Sequence, residues 1–464
     1  MARAPAAGEM MAAPLHIDAE WLAQRLGATS SKDLGHGLAR LIDGGDLPPG
    51  AHLPTIRDFA RVAGVSPGTV VTAWSRVRDS GRLHTRRRGG TVVADRRHPA
   101  GDSPGATVGW SSVEMARVTP DPALQPDLGA AVAGALRDSP DLHAPERAYI
   151  TDRLRRAVAA DWPFTPQAWN CVGGGSEALV LATAAAACNG PIGVEEPVSP
   201  GYLDILRQLG IAAFGVGADQ HGPTVDSVIA ALRRGATALI LQPGGAYAVR
   251  GLLSPARAAE LAGVIARSAP DTWIVEDDSA GPLAEAEPAS LGSHLPRRVL
   301  RVRSYCKAFG IDLRTAVLGG SAELVERTMR LRSFGMASNS RILQNTLAHL
   351  IEDPATAEAM AVARSGYRRR RLAALDAFTG VGLRASASPD GFVVWVRVPD
   401  ETSSLINLAR QGIVAAAGAT SFVTGTEGLL RFSILQLPDV PGRIDDLARA
   451  VHAAVNSADR EYFD

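Results

Sequence analysis

The sequence is poor in cysteine, in lysine and in long apolar runs. Its 464 residues include three cysteines, Cys171, Cys188 and Cys306, which are widely separated and form no Cys-x-x-Cys pair. An odd number without paired spacing argues against a disulfide framework and a structural zinc site, and it favours a reducing compartment. We therefore expect a cytoplasmic protein with no metal site.

No segment has the pattern of a membrane span or a secretory signal. Glu9 interrupts the N-terminal stretch before an apolar region can form. The longest run of small apolar residues, near Ala178–Cys188, is shorter than the roughly 20 residues that cross a bilayer. We expect a buried alanine-rich helix there and no membrane partner.

The charges balance over the whole chain but not along it. Formal net charge is zero, so only local asymmetry can indicate a polyanionic partner. Residues 30–97 carry twelve basic residues against six acids, after a leader, 1–28, that we expect to be flexible. The basic residues are Lys32, Arg40, Arg57, Arg61, Arg76, Arg78, Arg82, Arg86, Arg87, Arg88, Arg96 and Arg97. The acids are Asp33, Asp43, Asp46, Asp58, Asp79 and Asp95.

This basic segment has three helical patterns followed by a hairpin pattern. Thr55 and Asp58 have the spacing of a capping box at the start of the second helix. Ser66 is a good N-cap for the third helix, and Pro67 suits its first position because the missing N–H costs nothing there. A basic glycine-rich tip, Arg87–Gly90, then separates two short strand-like segments. A small helical domain with a solvated basic face is the plain alternative.

The stretch from LPPGAHLPTIRDF to RRRGGTVVA resembles a winged helix of the GntR family over its full length. The resemblance implies that the segment binds double-stranded DNA. It implies contacts from the second helix, the recognition helix and the wing: Arg57, Ser66, Gly68, Thr69, Gly90 and Thr91. Pro67 stands where the family often has arginine, and the resemblance then implies that base reading is either reduced or shifted to Arg57 and Arg76.

After a linker rich in proline, glycine and serine, the remaining chain alternates strand-like and helical segments. Five apolar runs, CVGGG, IGVEE, ALILQ, TWIVEDD and VLRVRS, are separated by Ala/Leu-rich stretches. That alternation predicts an α/β domain with a largely parallel sheet. We place a winged-helix domain at 28–97, the linker at 98–112 and the α/β domain at 113–464, with a C-terminal subdomain from about 365.

One lysine stands out in this α/β domain. The chain has only two lysines, Lys32 and Lys307, and Lys307 follows the apolar run VLRVRS among small and apolar neighbours. Ser304 lies three residues before it and Arg314 seven residues after it. A pyridoxal-phosphate (PLP) site needs an amine for the aldehyde, and a hydroxyl and a guanidinium for the phosphate. An ordinary surface lysine is the alternative.

Two further segments fit such a site. TWIVEDDSAG ends an apolar strand in acids, and an acid at a strand's carboxyl end points into the ligand crevice of an α/β domain. Asp277 would there keep a pyridinium nitrogen protonated. VGGGSEAL places glycines before a helix, where backbone N–H groups bind phosphate. A solvated acidic loop and an ordinary glycine turn are the alternatives for each segment taken alone.

In this order, GGGSEAL, VEEPVSPGY, EDDSAG and SYCKAFGIDLR resemble the aminotransferase-like domain of MocR-type regulators, a branch of the GntR group. The resemblance covers about residue 118 to the end. It implies a fold-type-I aminotransferase fold, a head-to-tail homodimer and a small-molecule effector, either PLP or an amino-acid-like ligand. Lys307 matches the Schiff-base lysine, Asp277 the pyridinium partner and Arg431 the α-carboxylate arginine. The phosphate cup is matched by Ser304, Arg314, Gly175 and Ser176.

Three cofactor-contacting positions depart from the family. Ser199 replaces a ring-stacking aromatic, with Tyr202 nearby. Ser279 replaces the tyrosine that bonds the cofactor's O3′. The turn Gly244–Gly251 lacks the usual amide partner of O3′ unless Tyr247 substitutes. These losses argue against efficient transamination. Three functions stay open: a PLP-sensing transcription regulator, an aminotransferase with an appended DNA-binding module, and a regulator that has lost PLP.

Overall fold

The computed structural model divides the chain into two units, Met1–Ala106 and Thr107–Asp464. It describes residues 16–27, 30–43, 46–48, 50–79, 82–86, 90–93, 113–137, 139, 142–146, 148–333, 338–425, 428–437 and 442–456. The segment 98–112, expected to be the linker, lies outside the described residues.

The N-terminal unit contains helices followed by a two-stranded hairpin. Its elements are α1 Ala19–Leu26, α2 Ser31–Asp43, α3 Ile56–Ala63, α4 Pro67–Asp79, β1 Leu83–Arg86 and β2 Gly90–Val93.

The helix boundaries follow the capping residues that the sequence predicts. Thr55 caps α3, since its Oγ1 accepts the Asp58 N–H at 3.2 Å and donates to the Asp58 carboxylate at 2.6 Å. Ser66 Oγ accepts the Thr69 N–H at 3.1 Å, and α4 begins at Pro67. The apolar residues Val70, Trp74 and Val77 of α4 are buried in the unit's core. The predicted helices and their caps are therefore confirmed.

The expectation of a flexible leader over residues 1–28 is wrong for residues 18–27, which form a capped helix. Asp18 caps α1 by accepting the N–H groups of Glu20 and Trp21, and Gly27 ends the helix in the left-handed conformation. Leu22 is fully buried in the same core as α2, α3 and α4. In the sequence, polar residues separate Leu22 from Leu26, so the segment gives no local sign that these two leucines are buried in that core.

The predicted wing hairpin is confirmed where the structure describes it. β1 and β2 pair antiparallel, with Leu83 opposite Val93 and Arg86 opposite Gly90. The segment before α3 also joins β2, because the Leu53 N–H donates to the Thr91 carbonyl at 2.8 Å. Arg87, Arg88 and Gly89 at the tip lie outside the described residues. The unit is a winged helix-turn-helix.

The second unit contains the remaining helices and strands. Its helices are α5 Leu128–Arg137, α6 Asp152–Ala159, α7 Gly175–Ala187, α8 Tyr202–Gln208, α9 Val225–Arg233, α10 Pro255–Ser268, α11 Cys306–Phe309, α12 Ala322–Arg332, α13 Arg341–Glu352, α14 Pro354–Gly380, α15 Glu401–Arg410 and α16 Arg443–Asn456. Its strands are β3 Val113–Glu114, β4 Ala168–Val172, β5 Ile192–Glu195, β6 Ala213–Val216, β7 Ala218–Asp219, β8 Gly222–Pro223, β9 Ala238–Leu241, β10 Trp273–Asp278, β11 Val299–Ser304, β12 Ala316–Gly320, β13 Arg384–Ser386, β14 Val393–Arg397, β15 Ile413–Val414, β16 Ala416–Ala417 and β17 Leu429–Ser433.

A seven-stranded sheet forms the body of this unit. Its order is β4-β12-β11-β10-β9-β5-β6, and β12 alone runs antiparallel to its neighbours. All five predicted apolar runs are strands of this sheet, and the alanine-rich run is the helix α7, which packs on one face. The prediction of a largely parallel α/β sheet is therefore confirmed.

A smaller sheet, β13-β14-β17-β16, belongs to the C-terminal part of the chain and packs with α14, α15 and α16. The start of the unit is attached to this part, because β3 pairs in parallel with β15, some 300 residues later. No helix among the described residues is long and apolar enough to cross a membrane.

Candidate functional site

The topology of the large sheet brings the predicted ligand-binding residues to one edge. The parallel strands β4, β9, β10 and β11 all end there, and antiparallel β12 begins there. The glycine turn after β4, Asp277 on β10, Ser304 on β11 and Arg314 before β12 therefore meet, although up to 140 residues separate them. Such an edge is where open α/β sheets bind ligands.

The glycine turn lies against Ser304 and the backbone of Arg314. A β-carbon placed on Gly175 would lie 2.7 Å from Ser304 Oγ, so only glycine allows this approach. Gly174, at φ 117°, would bring a β-carbon to 4.0 Å from the Arg314 Cα. Gly174 is the N-cap of α7 and supplies no side-chain cap, which leaves backbone N–H groups for an anion. The exposed Ser176 lies in the first turn of α7.

Arg314 has a backbone conformation that residues other than glycine rarely adopt. It lies in the left-handed region at φ 45°, which is uncommon for a residue with a β-carbon and is often found at functional sites. Arg314 is exposed, although Leu313 before it and Thr315 after it are buried. The turn thus places the backbone of Arg314 at the edge where Ser304 and the α7 N-terminus lie.

Lys307 lies within this edge rather than on the open surface. It is partly buried in the short helix α11. Its Nζ is 5.6 Å from the ring centroid of Tyr247 and 5.4 Å from that of Phe392. Burial alone would lower the pKa of Lys307, but the hydrogen-bonded Tyr247 and the nearby Asp277 raise it above its usual value. The surface-lysine alternative is inconsistent with this position.

Asp277 is buried on the same face of the sheet as α7, while Glu276 and Asp278 point to the opposite face. Burial raises the pKa of Asp277 to about 6, although the Ser279 hydroxyl and the Lys307 amine lower it. The Ser279 hydroxyl donates to Asp277 Oδ1 at 2.5 Å. Ser279, at the position of the missing tyrosine, therefore bonds the acid.

The other two departures also have defined positions. Ser199 lines a small cavity together with Asp277, Tyr202, Glu195 and Gln242. The Tyr202 hydroxyl is buried and hydrogen-bonded to Thr183 Oγ1 at 2.6 Å. In the turn after β9, the buried Tyr247 has its ring centroid 5.6 Å from the Lys307 Nζ.

Arg431 lies on β17 in the smaller sheet and is buried. Its Nη2 donates to the Ala116 carbonyl at 3.1 Å and its Nη1 contacts Ser421 Oγ at 3.4 Å. Its Nε has no hydrogen-bond partner among the described residues. Burial lowers the pKa of Arg431, and the nearby Tyr247 opposes that effect. Tyr247 is therefore close to both Lys307 and Arg431.

Two groups that the sequence did not assign line or adjoin this edge. Glu195, at the end of β5, is buried beside Asp277, and burial raises its pKa to about 8. Cys306 points toward the glycine turn, 3.6 Å from the β-carbon position of Gly174. The motif VEEP contained Glu195, but a strand-end acid gives no sign of burial until its neighbours are known.

The residues expected to contact DNA lie on separate elements of the N-terminal unit. Ser66, Gly68 and Thr69 form the start of α4, and Arg57 is exposed on α3. The Ser66 and Thr69 hydroxyls bond each other at 2.8 Å, so both serve the helix cap. Gly90 and Thr91 belong to β2. Arg76 is exposed in the last turn of α4, roughly 14 Å along the axis from its start.

Comparisons with known proteins agree with both halves of this description. The model of the family "Aminotransferase class I and II" matches residues 265–440. The vitamin B6 salvage pathway transcriptional repressor PtsJ of Salmonella typhimurium is 26% identical over 441 residues, covering 92% of this chain and 99% of PtsJ. The HTH-type pyridoxine biosynthesis transcriptional regulator PdxR of Corynebacterium glutamicum is 30% identical over 259 residues, 52% of this chain and 54% of PdxR.

Among solved structures, the α-aminoadipate aminotransferase LysN of Thermus thermophilus, complexed with N-(5′-phosphopyridoxyl)-L-leucine, has a similar fold. Its TM-score is 0.66 at 21% identity, and the match covers 74% of this chain and 92% of LysN. This likeness establishes a fold-type-I aminotransferase fold for the second unit. With its winged helix, its aminotransferase fold and two transcriptional regulators among its relatives, the chain is similar in both units to MocR-type regulators of the GntR family.

Proposed function

We propose that this protein is a DNA-binding transcriptional regulator whose aminotransferase-like domain binds PLP through Lys307 and uses it as a signal. The observation that carries the proposal is the convergence of an amine, a buried acid and an anion cup at one sheet edge. PtsJ and PdxR are named as regulators of vitamin B6 salvage and pyridoxine biosynthesis, which supports a B6-type effector. The cofactor-free alternative would not need these groups to meet.

The residues present fit the cofactor. Ser304, Arg314, Gly175 and Ser176 would hold the phosphate, since a hydroxyl, a guanidinium and helix N-terminal N–H groups suit a doubly charged oxyanion. Asp277 would bind the pyridine nitrogen and keep a proton there. Lys307 would attach the cofactor covalently. When bound, PLP supplies an electrophilic aldehyde and an electron-withdrawing ring.

Arg431 is the proposed contact for the carboxylate of an amino-acid-like effector. Its buried Nε lacks a partner among the described residues, so a carboxylate would satisfy a donor that is costly to leave unpaired. Working transamination is the second candidate function, because the amine, acid and arginine it needs are all present. Ser199 and Ser279 weigh against efficiency, since they leave fewer groups to hold the ring.

We propose that residues 28–97 contact the operator and that residues 113–464, with a C-terminal subdomain beginning near 365, bind the effector. The contacts would come from Arg57, Ser66, Gly68, Thr69, Arg76, Gly90 and Thr91. We propose a homodimer on a double-stranded operator, because paired half-sites match a two-fold protein.

Absorption spectroscopy tests the cofactor assignment. Purified protein incubated with PLP is expected to show a visible absorbance band that borohydride removes, with the reduced cofactor's mass retained on the peptide containing Lys307. Lys307→Ala should give only the spectrum of free PLP, because the other lysine, Lys32, lies in the N-terminal unit. The variant Arg384→Ala, exposed on β13, is the matched control and should behave as wild type.

Identical spectra for wild type and Lys307→Ala would refute covalent binding at this residue. The regulator assignment would then rest on the winged helix alone.

A further inference from the structure

A small polar cavity lies near the carboxyl ends of β5, β9 and β10. Its polar lining residues are Glu195, Ser199, Tyr202, Gln242 and Asp277, and the rest of its lining is aliphatic. The space open to the centre of a water molecule is about 10 Å³, which is close to the room that one water needs. The cavity therefore has the size and the polarity of a site for a single water.

Gln242 lines this cavity and has a buried oxygen without a partner. Its Nε2 donates to the carbonyl oxygens of Glu195 at 3.2 Å and Pro197 at 2.8 Å, and these two acceptors fix which end of the amide is the nitrogen. Its Oε1 has no hydrogen-bond partner within the described part of the chain, although Gln242 is only 5% exposed. An unpaired buried oxygen is costly, so this one needs a donor from the cavity.

The two carboxyl groups of the cavity present further acceptors. Glu195 Oε2 accepts the Gln242 N–H at 2.6 Å, and Asp277 Oδ1 accepts the Ser279 hydroxyl at 2.5 Å. With both acids ionised, Gln242, Glu195 and Asp277 would offer acceptors to one water, which has only two protons to donate. Two carboxylates in one buried cavity also repel each other. A proton on one acid removes the repulsion and gives the water a donor.

Glu195 is the acid that keeps this proton. Burial raises the pKa of Glu195 to about 8. Burial raises the pKa of Asp277 only to about 6, because a bonded hydroxyl and the Lys307 amine oppose it, while Asp278 adds to it from the opposite face of the sheet. Tyr202 is the third titratable group of the cavity, and burial raises its pKa too, so it stays neutral. No lysine or arginine of the described residues lines the cavity.

Resting on the proposed function, we propose that this cavity binds one water molecule, through which protonated Glu195 donates a hydrogen bond to Asp277. The water accepts the Glu195 O–H and donates to Gln242 Oε1 and to the Asp277 carboxylate. Three hydrogen bonds are the usual number for a buried water. Glu195 is thus a positioning residue, which holds Asp277 ionised and in place for the pyridine nitrogen of PLP.

Two substitutions of Glu195 separate this role from packing. The amide of Glu195→Gln accepts the Gln242 N–H through its oxygen and donates to the water through its NH₂. Glu195→Leu has no donor, so the Asp277 carboxylate loses a hydrogen bond and its pKa rises. PLP affinity, measured against pH, should therefore fall on the acid side at a pH about one unit higher in Glu195→Leu, and at the wild-type pH in Glu195→Gln. Titration of PLP itself is common to all three proteins.

The cofactor-free protein gives a test that does not depend on PLP. A high-resolution crystal structure of the wild type should show an ordered water bonded to Glu195, Gln242 and Asp277, and Glu195→Leu should lose it. The matched control is Glu323→Leu, which changes an exposed acid paired with Arg327. It should keep both the water and the wild-type pH dependence.

A wild-type crystal structure without this water would overturn the proposal, and it decides the matter even if Glu195→Leu does not fold. An unchanged pH dependence in folded Glu195→Leu would overturn it as well, with PLP binding and the proposed function intact. So would an equal shift in Glu195→Gln, because its amide supplies the same donor. Failure of the wild type to bind PLP would instead refute the proposed function.

Discussion

At the scale of single residues, two buried carboxyl groups share the cavity beneath the candidate cofactor site. Glu195 Oε2 accepts the Gln242 N–H at 2.6 Å, and Asp277 accepts the Ser279 hydroxyl. Burial raises the pKa of Glu195 to about 8 and that of Asp277 to about 6. Near neutral pH Glu195 is therefore mostly uncharged, which keeps a second negative charge away from Asp277.

Glu195→Gln is expected to stabilise the cofactor-free protein as pH rises. Below the ordinary pKa of 4.5 both states of the wild-type protein are protonated at Glu195, and the raised folded pKa costs nothing. Between pH 4.5 and about 8 only the unfolded chain ionises, so the wild type loses stability relative to the variant. The difference in unfolding free energy between the variant and the wild type, measured by urea unfolding, should grow by about 1.4 kcal/mol per pH unit in this range. It should level off above the folded-state pKa of about 8.

The control for this titration is Glu323→Gln, an exposed acid paired with Arg327. It makes the same chemical change at the surface and so separates the effect of burial from that of the substitution itself. A stability difference that does not change with pH for Glu195→Gln would mean that the Glu195 carboxyl ionises normally in the folded protein.

Some residues of the candidate site could be predicted from the sequence, and others could not. Lys307, Ser304 and Asp277 were predictable because each lies at or just after the end of an apolar run, and parallel strands end at one edge. The placement of Tyr247 was left open, because its turn is fixed by Phe392 and Trp395, some 145 residues away. Contacts of that separation leave no periodic trace in a sequence.

At the scale of elements, β10 and β11 place different charged side chains on the two faces of the sheet. On one face Arg301 pairs with Glu276 at 3.1 Å and Arg303 with Asp278 at 2.6 Å. Burial raises the pKa of Asp278, but both arginines lower it to about 2. On the other face Asp277 has no arginine partner among the described residues. Strand alternation alone therefore separates a structural ion network from the acid that faces the site.

Among the helices, α3 and α4 were predictable from their capping residues, whereas α1 was not. Capping is local, so Thr55 and Ser66 reveal it in the sequence. Helix α1 also has a local cap, Asp18, but only Leu22 and Leu26 of its eight residues are buried, against the other helices of the unit. Helices this short owe their stability to tertiary packing, which a local pattern does not report.

Arg57→Ala on α3 is expected to weaken binding to the operator by about 1–3 kcal/mol if this side chain reads a base. Fluorescence anisotropy at fixed salt, on operator and scrambled duplexes, measures the effect. A base contact lowers operator affinity more than scrambled affinity, because phosphates are common to both. Arg25→Ala on α1, whose side chain is paired with Asp46, is the control.

Unchanged affinity of Arg57→Ala for both duplexes would remove Arg57 from the interface. Equal weakening on both would assign it to the phosphate backbone instead.

At the scale of the whole molecule, the order of two units was predictable and the closure of the second was not. The alternation of strands and helices gives the α/β body, and motif order gives the family. The pairing of β3 with β15 could not be predicted from the sequence, because about 300 residues separate Val113 and Glu114 from their partners Ile413 and Val414. That pairing ties the start of the large unit to its C-terminal part.

A sensor must also couple its two sites. PLP changes DNA binding only if it binds the DNA-competent and incompetent conformations with different affinity. Coupling free energies of this kind are commonly about 1–3 kcal/mol, or roughly 5- to 150-fold in affinity. Lys307 is the residue through which that difference would act, since it alone would bond the ligand covalently.

The most direct test of the account is operator affinity measured with and without PLP, at one salt concentration, for wild type and Lys307→Ala. The account predicts that PLP changes the Kd of the wild type at least about fivefold and leaves that of Lys307→Ala unchanged. An equal change in both proteins, or none in the wild type, would contradict it.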